Sequence, residues 1–231
     1  TNIKCRLHRK FNGIIKTSTI SKTPTGKYFI SILVELNEEL PKKKPLSENK
    51  AIGIDLGIKT FAVLSNRVEI ENPKHLRKSI EKLKKLQRKV SKKQKGSSNR
   101  KKSIVKLAKL HEKVANQRLD FLHKTTYYLV TNYDTLCLET LKANNMMKNH
   151  KLAQALSDIS IGKFNNILDY KAEWFGCNIL RIGQFEPSSK MCSCGVINKE
   201  LKLSDRNWVC KSCGTIHNRD LLAANNIKKF A

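Results

Sequence analysis

Four cysteines crowd one short stretch of this 231-residue sequence: Cys192-Ser193-Cys194-Gly195, then Cys210-Lys211-Ser212-Cys213-Gly214. Four thiolates in two tight pairs suit tetrahedral zinc, and a glycine after each pair lets the loop turn toward a metal. The second pair has the C-x-x-C-G spacing of a zinc knuckle, while the first is C-x-C, one residue shorter and tighter. His217 is close enough in sequence to replace one sulfur, and free thiols are the alternative to a metal site. A site closed by four protein ligands is structural and contributes folding energy rather than chemistry. The other cysteines, Cys5, Cys137 and Cys177, sit among apolar neighbours and read as small buried hydrophobes. This is not the distribution of a secreted disulfide framework, so a reducing compartment is expected.

Three carboxylates form a second constellation. Asp55 ends the apolar run Ala51-Ile52-Gly53-Ile54-Asp55, Glu139 ends Asp134-Thr135-Leu136-Cys137-Leu138-Glu139, and Asp220 opens a final helical stretch, Leu221 to Phe230. A buried, unpaired carboxylate is costly, so an acid in an apolar strand needs a partner, and a cation is one candidate. Acids converging on two magnesium ions hydrolyse phosphodiesters, one ion activating water and the other stabilising the leaving oxygen. Each acid alone has a plainer reading. Asp55 could form a turn, Glu139 could face solvent, and Asp220 could complement a helix dipole.

The partner class follows from charge. With 46 Lys and Arg against 19 Asp and Glu, the chain carries +27. Such an excess repels itself unless a polyanion neutralises it, and nucleic acid does so with release of counterions. No run approaches the ~18 apolar residues of a membrane span, and no secretory signal opens the sequence. The first residue is Thr1, which suggests a trimmed or partial product. A cytoplasmic, nucleoid-associated protein is expected, with membrane and secretory roles excluded.

The elements that must position these residues show in the hydrophobic pattern. Residues 1–40 alternate as antiparallel strands, Tyr28-Phe29-Ile30-Ser31-Ile32-Leu33-Val34 being the clearest, and the prolines of 40–47 mark a linker. Strands are expected at 51–55, 60–64, 67–70, 134–139 and 178–182, and an amphipathic helix over 157–175. Between them, Leu76, Ile80, Leu83, Leu86 and Val90, then Ile104, Leu107, Leu110, Val114 and Phe121, recur at helical spacing around the turn Gly96-Ser97-Ser98-Asn99. This helical hairpin, 74–131, holds nineteen Lys and Arg against Glu81, Glu112 and Asp120. A solvated face is the bland reading; the one-sided imbalance favours a face turned to nucleic acid. The order of elements is that of an α/β fold.

The motifs also carry a family resemblance. G-I-D-L-G-I-K (53–59), L-E-T-L (138–141), N-H-K-L-A-Q-A-L-S-D (149–158) and Y-K-A-E-W-F-G (170–176) stand in order. P-S-S-K-M-C-S-C-G (187–195), L-S-D-R-N-W-V-C-K-S-C-G (203–214) and R-D-L-L-A-A-N-N-I (219–227) follow. Together, from about Ile3 to the end, they resemble the transposon-encoded TnpB (OrfB-type) family, relatives of the compact type V CRISPR nucleases. The resemblance implies an RNase H-like (RuvC) nuclease with an inserted zinc ribbon, guided to DNA by an RNA from its own transposon end. Asp55, Glu139 and Asp220 match the catalytic acids, and Cys192, Cys194, Cys210 and Cys213 the zinc ligands. By this likeness residues 1–46 are a partial wedge barrel, including His8-Arg9-Lys10 and Pro24-Thr25-Gly26-Lys27-Tyr28. Residues 50–231 are then the RuvC-like domain, with hairpin 74–131 and ribbon 186–218 as insertions.

Three departures accompany the likeness. The family's further N-terminal sequence is missing, Asn218 stands where an Asp is usual, and Leu222 where an Asn is usual. The expected function is therefore an RNA-guided, metal-dependent DNA endonuclease in truncated form. The rival is an inactive nucleic-acid-binding remnant. A ribosomal-type zinc-ribbon protein would explain the charge and cysteines but leave the acids without a role. Residues such as Lys190 and Arg206 cannot be ranked from sequence.

Overall fold

The computed structural model describes residues 4–8, 10–141, 150–202 and 204–231. Of the motifs above, Ile3, Arg9, Asn149 and Leu203 lie outside the described residues, as do the side chains of His150, Lys151 and Leu152. The chain divides into two compact units, residues 1–40 with 78–116 and residues 41–77 with 117–231.

In the first unit, β1 (Ile14–Lys22) and β2 (Tyr28–Glu35) pair antiparallel, as their alternation predicts. Helices α1 (His75–Ser91) and α2 (Ser98–Asn132) form the two arms expected from the helical spacing, and most of each arm falls in this unit. Leu83 and Val114 are buried there, and Lys27 pairs with Glu112 at 3.2 Å.

The second unit is a mixed α/β structure. Strands β3 (Ala51–Leu56), β4 (Thr60–Leu64) and β5 (Glu69–Glu71) run antiparallel in sequence. Strands β6 (Thr135–Glu139) and β7 (Asn178–Ile182) join parallel to β3, giving the order β5-β4-β3-β6-β7. Apolar side chains that alternate along these strands reach opposite faces. Ile52, Ile54, Leu136 and Leu138 meet Leu122 and Leu129 of α2. The same cluster takes in α3 (His150–Ile159) and α4 (Ile161–Trp174) through Ile159, Phe164 and Leu168. Phe61 lies edge-on to Phe121 at 4.9 Å and to Phe164 at 5.3 Å. Cys137 and Ile182 meet Ile227 of the last helix, α5 (Arg219–Phe230).

Four expectations are corrected. Residues 157–175 are not one helix: Ser160 adopts a left-handed backbone (φ 55) that ends α3 and starts α4. Arg67 also has positive φ and donates its amide to the Leu64 carbonyl, so 67–68 form a turn and β5 begins at Glu69. The last helix begins at Arg219 rather than Leu221, which puts Asp220 inside its first turn. Cys5 is exposed, whereas Cys137 and Cys177 are buried as expected. Asp158, at the end of α3, accepts the amides of Leu76 (2.9 Å) and Arg77 (3.1 Å) and so caps the start of α1.

Candidate active site and metal centre

The register of two parallel strands brings the first two acids together. β3 pairs with β6 as Gly53↔Cys137 and Ile54↔Leu138, which sets Asp55 level with Glu139 at the carboxyl ends of both strands. With period-two alternation, Asp55 shares a face with Gly53, and Glu139 with Cys137. That is the face α5 covers. A Cβ on Gly53 would collide with the Ala224 carbonyl and stand 2.9 Å from the Lys228 amide nitrogen. Glycine therefore lets α5 lie directly on β3. The close approach delivers Asp220, in the first turn of α5, to the other two carboxylates.

Burial pushes the Asp55 carboxyl up to about 8, with the charges of Glu139 and Asp220 adding to the effect and Arg219 and Arg206 opposing it. Burial thus favours the protonated form of Asp55, and the two neighbouring carboxylates reinforce it. Each of the other acids is held by one partner from the segment between β7 and α5. The Ser188 hydroxyl donates to Glu139, and Arg206 Nη1 donates to both oxygens of Asp220 at 2.8 Å. Asn226 of α5, buried at 4%, fixes Ser188 in turn, donating to the carbonyls of Ser188 and Met191 at 2.7 Å each.

The same segment carries the cysteines. Its second half is the short ribbon β8 (Asn207–Val209) and β9 (Ile216–Asn218). The four sulfurs of Cys192, Cys194, Cys210 and Cys213 all lie within 4.8 Å of one another. Cys192 and Cys213 are 3.5 Å apart, and Cys194 and Cys210 3.7 Å. Sulfurs bound tetrahedrally at ~2.3 Å sit ~3.8 Å apart, so the group fits a single metal ion. The short C-x-C pair is absorbed in its turn: Gly195 donates to the Cys192 carbonyl, where the longer knuckle closes from Gly214 to Cys210, both at 2.9 Å. The Thr215 hydroxyl and amide draw the Cys213 thiol down to about 6, favouring the thiolate that binds metal. His217 does not join this group. Its Nε2 is 3.0 Å from the Cys192 sulfur and its ring packs on Trp208, so it orients the Cys192 side chain.

The two substituted motif positions have structural work. Asn218 caps α5 by accepting the Leu221 amide at 3.0 Å. Leu222 is buried against Cys192, Leu201, Trp208 and Cys210, joining the last helix to the ribbon. Ser188, Asn226 and the pairing of Arg206 with Asp220 escaped sequence reasoning. The one signal was an asparagine within Leu222-Ala223-Ala224-Asn225-Asn226-Ile227, a polar side chain where apolar ones should pack.

Comparison with known proteins adds to this geometry. The OrfB_IS605 family, described as "Probable transposase", matches residues 31–150, and the "Cas12f1-like, TNB domain" family matches residues 162–227. A Streptomyces pristinaespiralis protein named "Putative RNA-guided DNA endonuclease" is 41% identical over 91% of this chain and 52% of its own length. The "Putative RNA-guided DNA endonuclease InsQ" of Escherichia coli K12 is 31% identical over 97% of this chain and 59% of its own length. The chain therefore spans about half the length of the curated relatives it matches. Its fold is similar to a chain of a structure titled "Cryo-EM structure of the Cas12f1-sgRNA-target DNA complex", with TM-score 0.55 and 19% identity over 87% of this chain and 42% of that one.

Proposed function

Because the chain belongs to the OrfB_IS605 family, described as "Probable transposase", we propose that it is the nuclease portion of a transposon-associated, RNA-guided DNA endonuclease. The observation that carries this is the convergence of Asp55, Glu139 and Asp220, with the Asp55 carboxyl raised by burial and by the other two charges, within a chain of net charge +27. In this reading residues 50–231 are an RNase H-like (RuvC) domain, with hairpin 74–131 and ribbon 186–218 as its insertions. The cysteine cluster holds one structural zinc ion.

Asp55, Glu139 and Asp220 would hold two magnesium ions, which supply water activation and stabilisation of the leaving oxygen in phosphodiester hydrolysis. The chain's own residues prepare that site. Ser188 fixes one oxygen of Glu139. Arg206 neutralises Asp220 and supplies a cation beside a bound phosphate. Asp55 must lose its proton for the site to fill, and a cation lowers its carboxyl back into the ordinary range. The basic hairpin would hold nucleic acid, in this family a guide–target duplex, by backbone charge and shape rather than base identity.

The test is cleavage of end-labelled single-stranded DNA by the zinc-loaded chain, with and without magnesium, beside Asp55→Ala. Magnesium-dependent cutting that vanishes in Asp55→Ala while DNA binding persists is the expected result. Binding without cutting by the wild-type chain would replace this reading with the inactive nucleic-acid-binding remnant. Equal loss of binding in Asp55→Ala would make Asp55 a structural residue.

A further inference from the structure

One motif, Tyr170-Lys171-Ala172-Glu173-Trp174-Phe175-Gly176, is not used by the carboxylate site. It closes α4 at the end of the sheet where β7 begins, whereas Glu139 lies level with the last residue of β7. The two places are separated by four residues of strand, ~13 Å. Trp174 is 61% exposed and Tyr127, on the neighbouring part of α2, is 55% exposed. Exposed tryptophan on a highly charged protein is unusual, since its large ring is ordinarily buried.

These rings are held rather than loose. Tyr170 packs on Trp174 at 4.7 Å, one helical turn away. Tyr127 meets Phe175 edge-on at 5.8 Å, and the buried Lys171 ammonium lies 5.8 Å from the Tyr127 ring centre. That ammonium is itself fixed by the His123 carbonyl (2.6 Å) and the Thr126 hydroxyl (3.0 Å). A ring already oriented loses little side-chain freedom when something stacks on it.

A lysine-rich segment is fastened across the end of the helix that carries Trp174. The segment Pro41-Lys42-Lys43-Lys44 crosses the end of α4 so closely that a Cβ on Gly176, at φ +62, would stand 2.5 Å from the Lys42 carbonyl. The Lys44 amide donates to the Gly176 carbonyl at 2.8 Å, and the Lys43 ammonium to the Cys177 carbonyl at 2.7 Å. Lys42 is exposed and makes no ion pair among the described residues. Oriented exposed rings on a helix end crossed by an exposed lysine with no ion pair among the described residues are the components of a single-strand site, in which bases stack and a phosphate meets the cation.

We propose that Trp174 and Tyr127, with Lys42, form a second nucleic-acid site that takes an unpaired strand, separate from the carboxylate centre. It rests on the nucleic-acid reading of the charge and not on the hydrolytic chemistry. DNA and RNA share the chemistry recognised here, and the probes distinguish them.

The experiment titrates the full zinc-loaded chain with (dT)12, (rU)12 and a 12-base-pair duplex, following tryptophan emission and its protection from acrylamide. The other tryptophan, Trp208, is 8% exposed and gives the background. Single strands should quench and protect Trp174, and the duplex should not. Trp174→Ala should weaken single-strand binding ~5- to 100-fold, with Trp174→Phe retaining most of it. Lys42→Ala should lower the salt slope by about one ion. Unchanged (dT)12 and (rU)12 affinity in folded Trp174→Ala overturns the proposal, as does equal protection by the duplex. So does a loss of self-association in Trp174→Ala without a loss of single-strand affinity, which would make the surface a protein interface. Single-strand binding is read in magnesium-free buffer, where the carboxylate centre is not expected to cut, so failure of cleavage and failure of this site are read separately.

Discussion

Replacing Asp55 with asparagine should stabilise the protein. In the folded chain burial, Glu139 and Asp220 raise the Asp55 carboxyl from 3.8 to about 8. Between those two values the folded state keeps a proton that the unfolded state has released, so stability falls as pH rises through the window and levels off above about 8. At pH 7, the difference corresponds to ~4 kcal/mol, at ~1.4 kcal/mol for each pH unit above the unfolded value. Asparagine copies the neutral acid in shape and carries no charge at any pH. Asp55→Asn should therefore gain up to ~4 kcal/mol at pH 7 and under ~1 kcal/mol at pH 4. Urea unfolding of zinc-loaded protein in magnesium-free buffer measures this. Trp174 and Trp208 both belong to the same compact unit as Asp55, so tryptophan emission reports the relevant transition. Millimolar magnesium should narrow the gap by stabilising the wild type alone. A variant less stable than wild type at pH 7, or a gap that does not change between pH 4 and 8, would refute the account of Asp55 as a buried carboxyl crowded by two others.

Three further outcomes follow from the geometry. Cys213→Ser should drop bound zinc below one ion per chain and shift Trp208 emission to the red, since Trp208 packs with Cys192 and Cys210; metal analysis and fluorescence check both. Phe164→Ala should cost ~3–5 kcal/mol in urea unfolding, because the fully buried ring packs on Phe61. Asp158→Ala should free the amides of Leu76 and Arg77, costing ~1–2 kcal/mol and speeding hydrogen exchange at those two positions.

Much of the framework is legible in sequence because burial leaves periodic traces. Strands at 51–55, 60–64 and 178–182 show as short apolar runs, and the arms of α1 and α2 show as long helical repeats. The break at Ser160 left no such trace. Ile159 and Ile161 are both buried on either side of it, so the apolar rhythm continues while the backbone reverses sign. The acids could be grouped by their chemistry and by the family resemblance, but the geometry that joins them could not be read, because it depends on the β3–β6 register and on the space Gly53 leaves for α5. Arg206 was beyond reach for a related reason. Thirteen residues, a knuckle among them, separate it from Asp220, and the pairing of β8 with β9, closed by the Arg219 amide on the Arg206 carbonyl at 2.8 Å, folds them together.

The segment between β7 and α5 is stitched to the acids by its stems. Ser188 at its entry reaches Glu139, and Arg206, just before the second knuckle, reaches Asp220. The knuckle tips carry the four cysteine sulfurs, while the stems carry the hydrogen bonds to the carboxylates. Protein engineering on this scaffold thus meets uneven freedom. Tips can be lengthened, recoded or exchanged for another metal-binding loop, provided the stems survive. A transplanted ribbon that chelates zinc but lacks Ser188 and Arg206 would fold and leave Glu139 and Asp220 without their partners. Zinc content alone is therefore a poor measure of a successful graft.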